Sequence, residues 1–96
     1  MSFQIIYKYS KVDPLVDWYE FSPEVQGVID AYKANGNILT WEVVEVDSLN
    51  REYRITFADA PASVAFGGES TIVALTSSRD IYNNANGITA SKEYGQ

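Results

Sequence analysis

Two kinds of hydrophobic periodicity alternate along this chain, and their order limits the folds that it can adopt. Segments 3–9, 38–46 and 52–58 alternate between apolar and polar residues, which predicts strands with one buried face. Residues 23–35 and 69–86 instead carry apolar side chains at helical spacing. A short last strand follows at 88–93, so the predicted order is strand, helix, strand, strand, helix, strand.

The two predicted helices differ in how clearly they begin and end. Ser22 is a favourable N-cap, Pro23 suits the first helical position, and Gly36 is the left-handed residue expected after a helix. The second helix is interrupted, because residues 60–66 predict one or two turns before Gly67-Gly68. The face of the longer part that we expect to be buried carries Thr71, Ala74, Leu75, Ser78, Ile81, Tyr82 and Ala85.

This order of elements is that of the ferredoxin-like, split β-α-β fold (βαββαβ) of the α+β class. It predicts one domain over 1–96, with an antiparallel sheet, both helices on one face, and 94–96 as a frayed tail. We expect the first and last strands to lie in the middle of the sheet. The sheet face towards the helices should carry Phe3, Ile5, Tyr7, Leu39, Trp41, Val43, Tyr53, Ile55, Phe57 and Ile88.

The composition excludes several kinds of chemistry. The chain has no Cys and no His, and 7 Lys+Arg against 13 Asp+Glu give a net charge of −6. Disulfides, thiolate nucleophiles and imidazole bases are therefore impossible, and we predict no metal and no other cofactor. The acidic charge and the absence of an RNA-recognition signature predict no nucleic-acid partner. We find neither a signal-peptide pattern nor an apolar run of about 20 residues, and so predict no membrane partner.

An acidic and aromatic connection precedes the first helix. Asp17, Trp18, Tyr19 and Glu20 form our candidate partner-binding surface, because aromatic side chains are typical interface anchors. A second interpretation is that the aromatic side chains close one end of the core while the acids stay solvated. Binding of a divalent cation is a third, although the spacing fits no EF-hand loop.

The open face of the predicted sheet offers an alternative site. Two ferredoxin-like units can pack sheet to sheet around a cavity, and Glu42 and Arg54 would lie on neighbouring strands inside it. A carboxylate and a guanidinium group held in this way can orient a substrate. The simpler interpretation is a cross-strand surface ion pair that contributes less than about 1 kcal/mol.

Four stretches of the chain stand out together: 18–19, 47–51, 55–60 and 79–89, of which 82–89 is the most distinctive. Together they resemble small uncharacterised proteins encoded by tailed phages of marine cyanobacteria. The resemblance implies a phage gene product, in the host cytoplasm or in the virion, and assigns no residue a role. We therefore predict a non-enzymatic protein-interaction module, a phage accessory or virion-associated protein whose partner is a protein, including a second copy of itself. The alternative is a small-molecule-binding or enzymatic dimer of the α/β-barrel type.

Overall fold

The structure is a computed structural model, and it describes residues 2–95. Four strands and three helices follow one another along the chain. They are β1 (Phe3–Lys11), α1 (Pro23–Ala34), β2 (Ile38–Asp47), β3 (Asn50–Phe57), α2 (Ala60–Gly68), α3 (Ser70–Ala85) and β4 (Ile88–Gly95).

The strands form one antiparallel sheet in the order β2-β3-β1-β4. This is the ferredoxin-like arrangement, so the prediction of an α+β, ferredoxin-like fold is confirmed. The first strand, β1, lies in the middle of the sheet as expected, but the expectation for the last strand is wrong, because β4 is an edge strand and β3 takes the other central position. Ile5 shows why, since it pairs with Ile55 on one side and with Tyr94 on the other.

The predicted tail at 94–96 is also wrong for the two residues that the structure describes. Tyr94 and Gly95 continue β4 and pair with Ile5 and Gln4 of β1. Gln96 lies outside the described residues. The longer strand carries the alternation of β4 past residue 93, which places Tyr94 on the same side of the sheet as Lys92.

Helix α1 begins and ends where the sequence predicts. The Ser22 hydroxyl accepts a hydrogen bond from the Val25 amide at 3.4 Å, and Gly36 takes φ +83° after the last turn. Val25, Ile29 and Tyr32 are buried against the sheet. These contacts make α1 part of the hydrophobic core.

Gly27 inside α1 and Gly36 just after its end provide a matched pair for a stability test. A Cβ at Gly36 meets no atom within 4 Å, so Gly36→Ala should cost only the left-handed backbone strain, about 1–2 kcal/mol. Gly27 is also free of contacts but lies inside the helix, so Gly27→Ala should stabilise by about 0.5–1 kcal/mol. Urea unfolding of both variants measures the change in the free energy of unfolding. Changes of the same sign would contradict the placement of Gly27 inside the helix and of Gly36 in the left-handed position after it.

The break between α2 and α3 lies one residue later than predicted. Glu69, whose backbone is extended, separates the end of α2 from the start of α3, and α2 includes Gly67 and Gly68. The Glu69 carboxylate accepts a hydrogen bond from the Tyr32 hydroxyl at 2.7 Å, which ties the break to α1.

The buried face of α3 differs from the predicted one. Ile72, Leu75 and Asn83 are buried, whereas Ile81 is 69% exposed. Of the seven residues predicted to be buried, only Leu75 belongs to this buried set. Hydrophobic periodicity does not predict this buried face, because its second half is polar, with Arg79 between Leu75 and Asn83.

The core lies between the sheet and the helices, and Ile29, Ile55 and Phe57 are its most fully buried large side chains. The prediction that Leu39 lies on the sheet face towards the helices is wrong, since this side chain is 55% exposed. A β-bulge between Ile38 and Thr40 changes the alternation there, so Ile38 takes the buried position opposite Phe57.

Candidate ligand-binding cavity

A cavity of about 460 Å³ lies between the helix-facing side of the sheet and helices α2 and α3. Its volume is within the range of about 300–1,000 Å³ that is usual for small-molecule sites. Side chains of the sheet form one wall, and Phe66, Ile72, Leu75 and Arg79 belong to the helical wall. Nine aromatic side chains line it: Phe3, Tyr7, Tyr9, Phe21, Trp41, Tyr53, Phe57, Phe66 and Tyr94.

The strands place most of these rings, because residues two apart in a strand point to the same face. The rings pack against one another at tilted and edge-to-face angles. Trp41 is 6.3 Å from both Tyr53 and Phe66, and Phe21 is 5.5 Å from Tyr53, measured between ring centroids. Such contacts hold the walls in place and leave apolar ring surface facing the cavity.

Two cationic side chains stand at the part of the cavity formed by β1, β4 and α3. The guanidinium carbon of Arg79 is 5.9 Å from the Tyr7 ring and 5.6 Å from the Tyr9 ring, and the Lys92 ammonium is 5.5 Å from the Tyr7 ring. Lys92 and Tyr94 are exposed, so the cavity reaches solvent on the β4 side. Among residues 2–95, no Asp or Glu lines this cavity.

Arg79 is largely buried, with its side chain 18% exposed. Its Nε atom is buried and has no hydrogen-bond partner within the described part of the chain. The Asp80 carboxylate lies 3.9 Å from this atom, which is an ion-pair distance but too long for a hydrogen bond, and Asp80 is itself mostly exposed. Arg79 therefore retains an unused donor beside the cavity.

Tyr9 lies in the same cavity wall and is buried. Burial raises the pKa of its phenol from 10.0 to about 12, and the positive charge of Arg79 opposes part of that shift. The phenol therefore keeps its proton at neutral pH and can donate a hydrogen bond.

The raised pKa of Tyr9 predicts a specific loss of stability in alkali. A folded-state pKa above 10.0 means that the contribution is complete below pH 10 and is lost as the pH rises to about 12. Between pH 9 and pH 12 the wild type should lose about 2–3 kcal/mol more unfolding free energy than Tyr9→Phe. Urea unfolding of both proteins at each pH measures the difference. The contributions of the other tyrosines cancel, because both proteins contain them. Parallel pH profiles would contradict it.

The acidic and aromatic connection packs onto its own chain. Trp18 is half-buried, with the Lys11 ammonium 4.7 Å and the Arg51 guanidinium carbon 5.4 Å from its ring. Tyr19 lies 5.6 Å from the Tyr82 ring. These contacts fit the interpretation in which the aromatic side chains close one end of the core.

The remaining two residues of the predicted partner-binding surface are Asp17 and Glu20. Both are exposed, although the Asp17 carbonyl accepts a hydrogen bond from the Tyr82 hydroxyl at 2.6 Å. Trp18 and Tyr19 line a small depression beside the main cavity, and it shares Tyr9 and Arg79 with that cavity. Partner binding by these four residues stays a prediction.

Glu42 and Arg54 lie on the open face of the sheet, opposite the cavity. They are register partners on β2 and β3, as the sequence predicts. The Arg54 guanidinium, however, donates to the Glu52 carboxylate at 2.9 and 3.0 Å and not to Glu42. A shallower space of about 330 Å³ on this face contains neither Glu42 nor Arg54.

Arg79 and Lys92 were not predicted as site residues, although the sequence carries a signal for each. Arg79 follows Ile72 and Leu75 at i+7 and i+4, so it belongs to the buried stripe of α3. Lys92 shares its side of β4 with Ile88, which is buried, because the two are four residues apart. In both elements a charged residue lies on a face that also carries buried apolar residues.

Two further properties concern metals and membranes. Among residues 2–95, no group of three acidic side chains is close enough together to hold a metal ion. Within the same residues, every helix is too short or too polar to cross a membrane.

Comparisons with known proteins show similarity of fold. No family model and no curated protein matches the sequence. Solved structures do match. SnoaB, a cofactor-independent oxygenase from Streptomyces nogalater, has a TM-score of 0.61 at 7% identity, and the match covers 99% of this chain and 91% of SnoaB. A Caulobacter crescentus protein proposed to be an antibiotic biosynthesis monooxygenase has a TM-score of 0.60 at 16% identity, with 97% and 87% covered.

A dimeric ferredoxin-like protein from an uncultured marine organism has a TM-score of 0.53 at 7% identity, with 98% of this chain and 92% of that chain covered. At these identities the likeness concerns the fold alone.

The prediction of a non-enzymatic protein-interaction module is wrong. It required the absence of a large pocket with convergent polar groups, and the cavity with Arg79 and Lys92 contradicts this. The similar structures include a cofactor-independent oxygenase, which agrees better with the alternative of a small-molecule-binding or enzymatic dimer. That alternative was tied to Glu42 and Arg54, whereas the main cavity lies on the other face of the sheet. The phage resemblance stays a prediction.

Proposed function

We propose that this protein binds a flat aromatic small molecule in the cavity between the sheet and helices α2 and α3. The observation that carries the proposal is the lining of nine aromatic side chains around a space of about 460 Å³. Stacked or edge-to-face aromatic pairs contribute about 0.5–1.5 kcal/mol each beyond area burial, so a flat ring system gains most from these walls.

A titration with N-phenyl-1-naphthylamine tests this proposal. The probe is a neutral aromatic amine whose fluorescence increases in apolar surroundings. We expect saturable binding of one probe per chain by protein whose near-ultraviolet circular dichroism shows fixed aromatic packing. Absence of binding by the folded protein would overturn the proposal.

A second candidate function is oxygenation of the bound ligand. Arg79 favours it, because a guanidinium stabilises a deprotonated aromatic ligand, the electron-rich form that can reduce O₂. SnoaB, which shares the fold, is a cofactor-independent oxygenase. In a balanced reaction a CH₂ group and O₂ give a carbonyl group and water, so no other reductant is consumed. Oxygen uptake with aromatic ligands that carry an acidic CH₂ group tests this function.

Self-association is part of the proposal. One protein of similar fold is a dimer, and the open face of the sheet here carries the apolar side chains Ile6, Val44 and Val46 between polar neighbours. Val46 is about half exposed, so a second sheet could cover it. We expect a dimer mass in sedimentation equilibrium and a monomer for Val46→Lys. A monomeric wild type at micromolar concentration would contradict this part.

A further inference from the structure

We infer that the ligand of this cavity carries an anionic group, such as a carboxylate, sulfonate or phenolate, and that Arg79 is the residue that binds it. This inference rests on the proposed function, because it concerns the same cavity. It adds the chemical class of the ligand and the end of the cavity at which the charged group lies.

The unpaired donor of Arg79 is the first observation. Its Nε atom is buried without a hydrogen-bond partner among residues 2–95, and its side chain is one of those that line the cavity. Buried polar groups in proteins are nearly always hydrogen-bonded, and a hydrogen bond to a charged group contributes about 1.5–3 kcal/mol. An anionic oxygen at this end of the cavity would satisfy the donor.

The distribution of charge is the second observation. Arg79 and Lys92 both lie against the Tyr7 ring, and the described residues that line the cavity include no carboxylate to neutralise them. The nearest acid to Arg79 is Asp80, which is mostly exposed and 3.9 Å away. Because the Arg79 side chain is only 18% exposed and lies among apolar side chains, its charge acts on a ligand more strongly than it would at a solvated surface.

The direction of α3 gives the third observation. Ile72 and Leu75 are apolar and buried, and Arg79 and the buried Asn83 follow on the same side of the helix. From Ile72 to Arg79 the helix rises by about 10 Å, at about 1.5 Å per residue. The cavity is therefore apolar at one end and cationic at the other. This gradient fits a flat ring system with an acidic group at one end.

Tyr9 adds a neutral donor at the cationic end. Its ring lies 5.6 Å from the Arg79 guanidinium carbon, and the phenol keeps its proton at neutral pH. A protonated phenol can donate to an anionic oxygen, whereas a phenolate would repel it. The cationic end of the cavity thus combines Arg79, Lys92 and Tyr9.

A pair of matched probes tests the inference. The probe 1-anilinonaphthalene-8-sulfonate has the same ring skeleton as N-phenyl-1-naphthylamine but carries a sulfonate. We expect the wild type to bind the sulfonate at least about 10-fold more tightly than the neutral probe. We expect Arg79→Met to lose this preference, with the affinity for the neutral probe changed less than about 3-fold. Lys92→Met should lose part of the preference, since its ammonium is exposed.

Lys33→Met is the matched control, because it removes one positive charge from the exposed end of α1, away from the cavity. It should keep the preference for the sulfonate. Equal binding of both probes by the wild type would overturn the inference while leaving the proposed function intact. So would equal losses for both probes in Arg79→Met, or an equal effect of Lys33→Met. Failure of the folded wild type to bind either probe would overturn both, and this wild-type comparison does not depend on how Arg79→Met folds.

Discussion

Leu75→Trp should abolish binding of N-phenyl-1-naphthylamine, with a loss of at least about 100-fold in affinity. Leu75 is buried on the cavity side of α3, so the larger indole ring must occupy space that a ligand would otherwise fill. In a close-packed core the same change would cost about 1–3 kcal/mol in overpacking. Here the cavity has room for the added volume, so we expect the free energy of unfolding, measured in urea, to change by less than about 1 kcal/mol.

Val73→Trp provides the matched control for this variant. Val73 lies two residues away on the same helix, but its side chain is 55% exposed and does not line the cavity. This variant should bind the probe as the wild type does. Undiminished binding by folded Leu75→Trp would place the ligand elsewhere on the molecule.

Phe57→Ala should destabilise the fold by about 3–5 kcal/mol. Phe57 is 1% exposed in the central strand β3, and its ring lies 5.7 Å from that of Phe66 in α2. For a domain of this size each kcal/mol lowers the unfolding temperature by about 4–8 °C. The expected loss is therefore a large part of the total stability, which is typically about 5–15 kcal/mol.

Val64→Ala is the corresponding control, since Val64 is exposed on α2 and should change stability by less than about 0.5 kcal/mol. Thermal unfolding followed by circular dichroism compares the two variants. A loss below about 1 kcal/mol for Phe57→Ala would mean that the sheet and α2 are not packed as described.

The fold was largely predictable from the sequence, because its information is local. Period-two alternation defined β1 and β3, and Ser22, Pro23 and Gly36 defined the limits of α1. The errors arose where local patterns depend on tertiary context. The bulge at Leu39 shifts the alternation of β2 by one residue, and no turn residue marks it. The edge position of β4 depends on long-range pairing, which periodicity does not encode.

The cavity was much harder to predict than the fold. The aromatic side chains that line it, such as Tyr7, Tyr53 and Trp41, were correctly placed on the helix-facing side of the sheet. An apolar strand face nevertheless looks the same in sequence whether it meets tightly packed helices or a space for a ligand. Arg79 and Lys92 carried the distinguishing signal, because each is a charged residue on a face that also carries buried apolar residues.

The most direct test of the account is to locate a bound probe on methyl-labelled protein by nuclear magnetic resonance. Upon addition of N-phenyl-1-naphthylamine, we predict intermolecular nuclear Overhauser effects to the cavity-lining methyl groups of Ile55, Ile72 and Leu75. The exposed methyl groups of Ile81 and Leu39 should show none. Contacts confined to Ile81, Leu39 or the open face of the sheet would contradict the claim that the cavity binds the aromatic molecule.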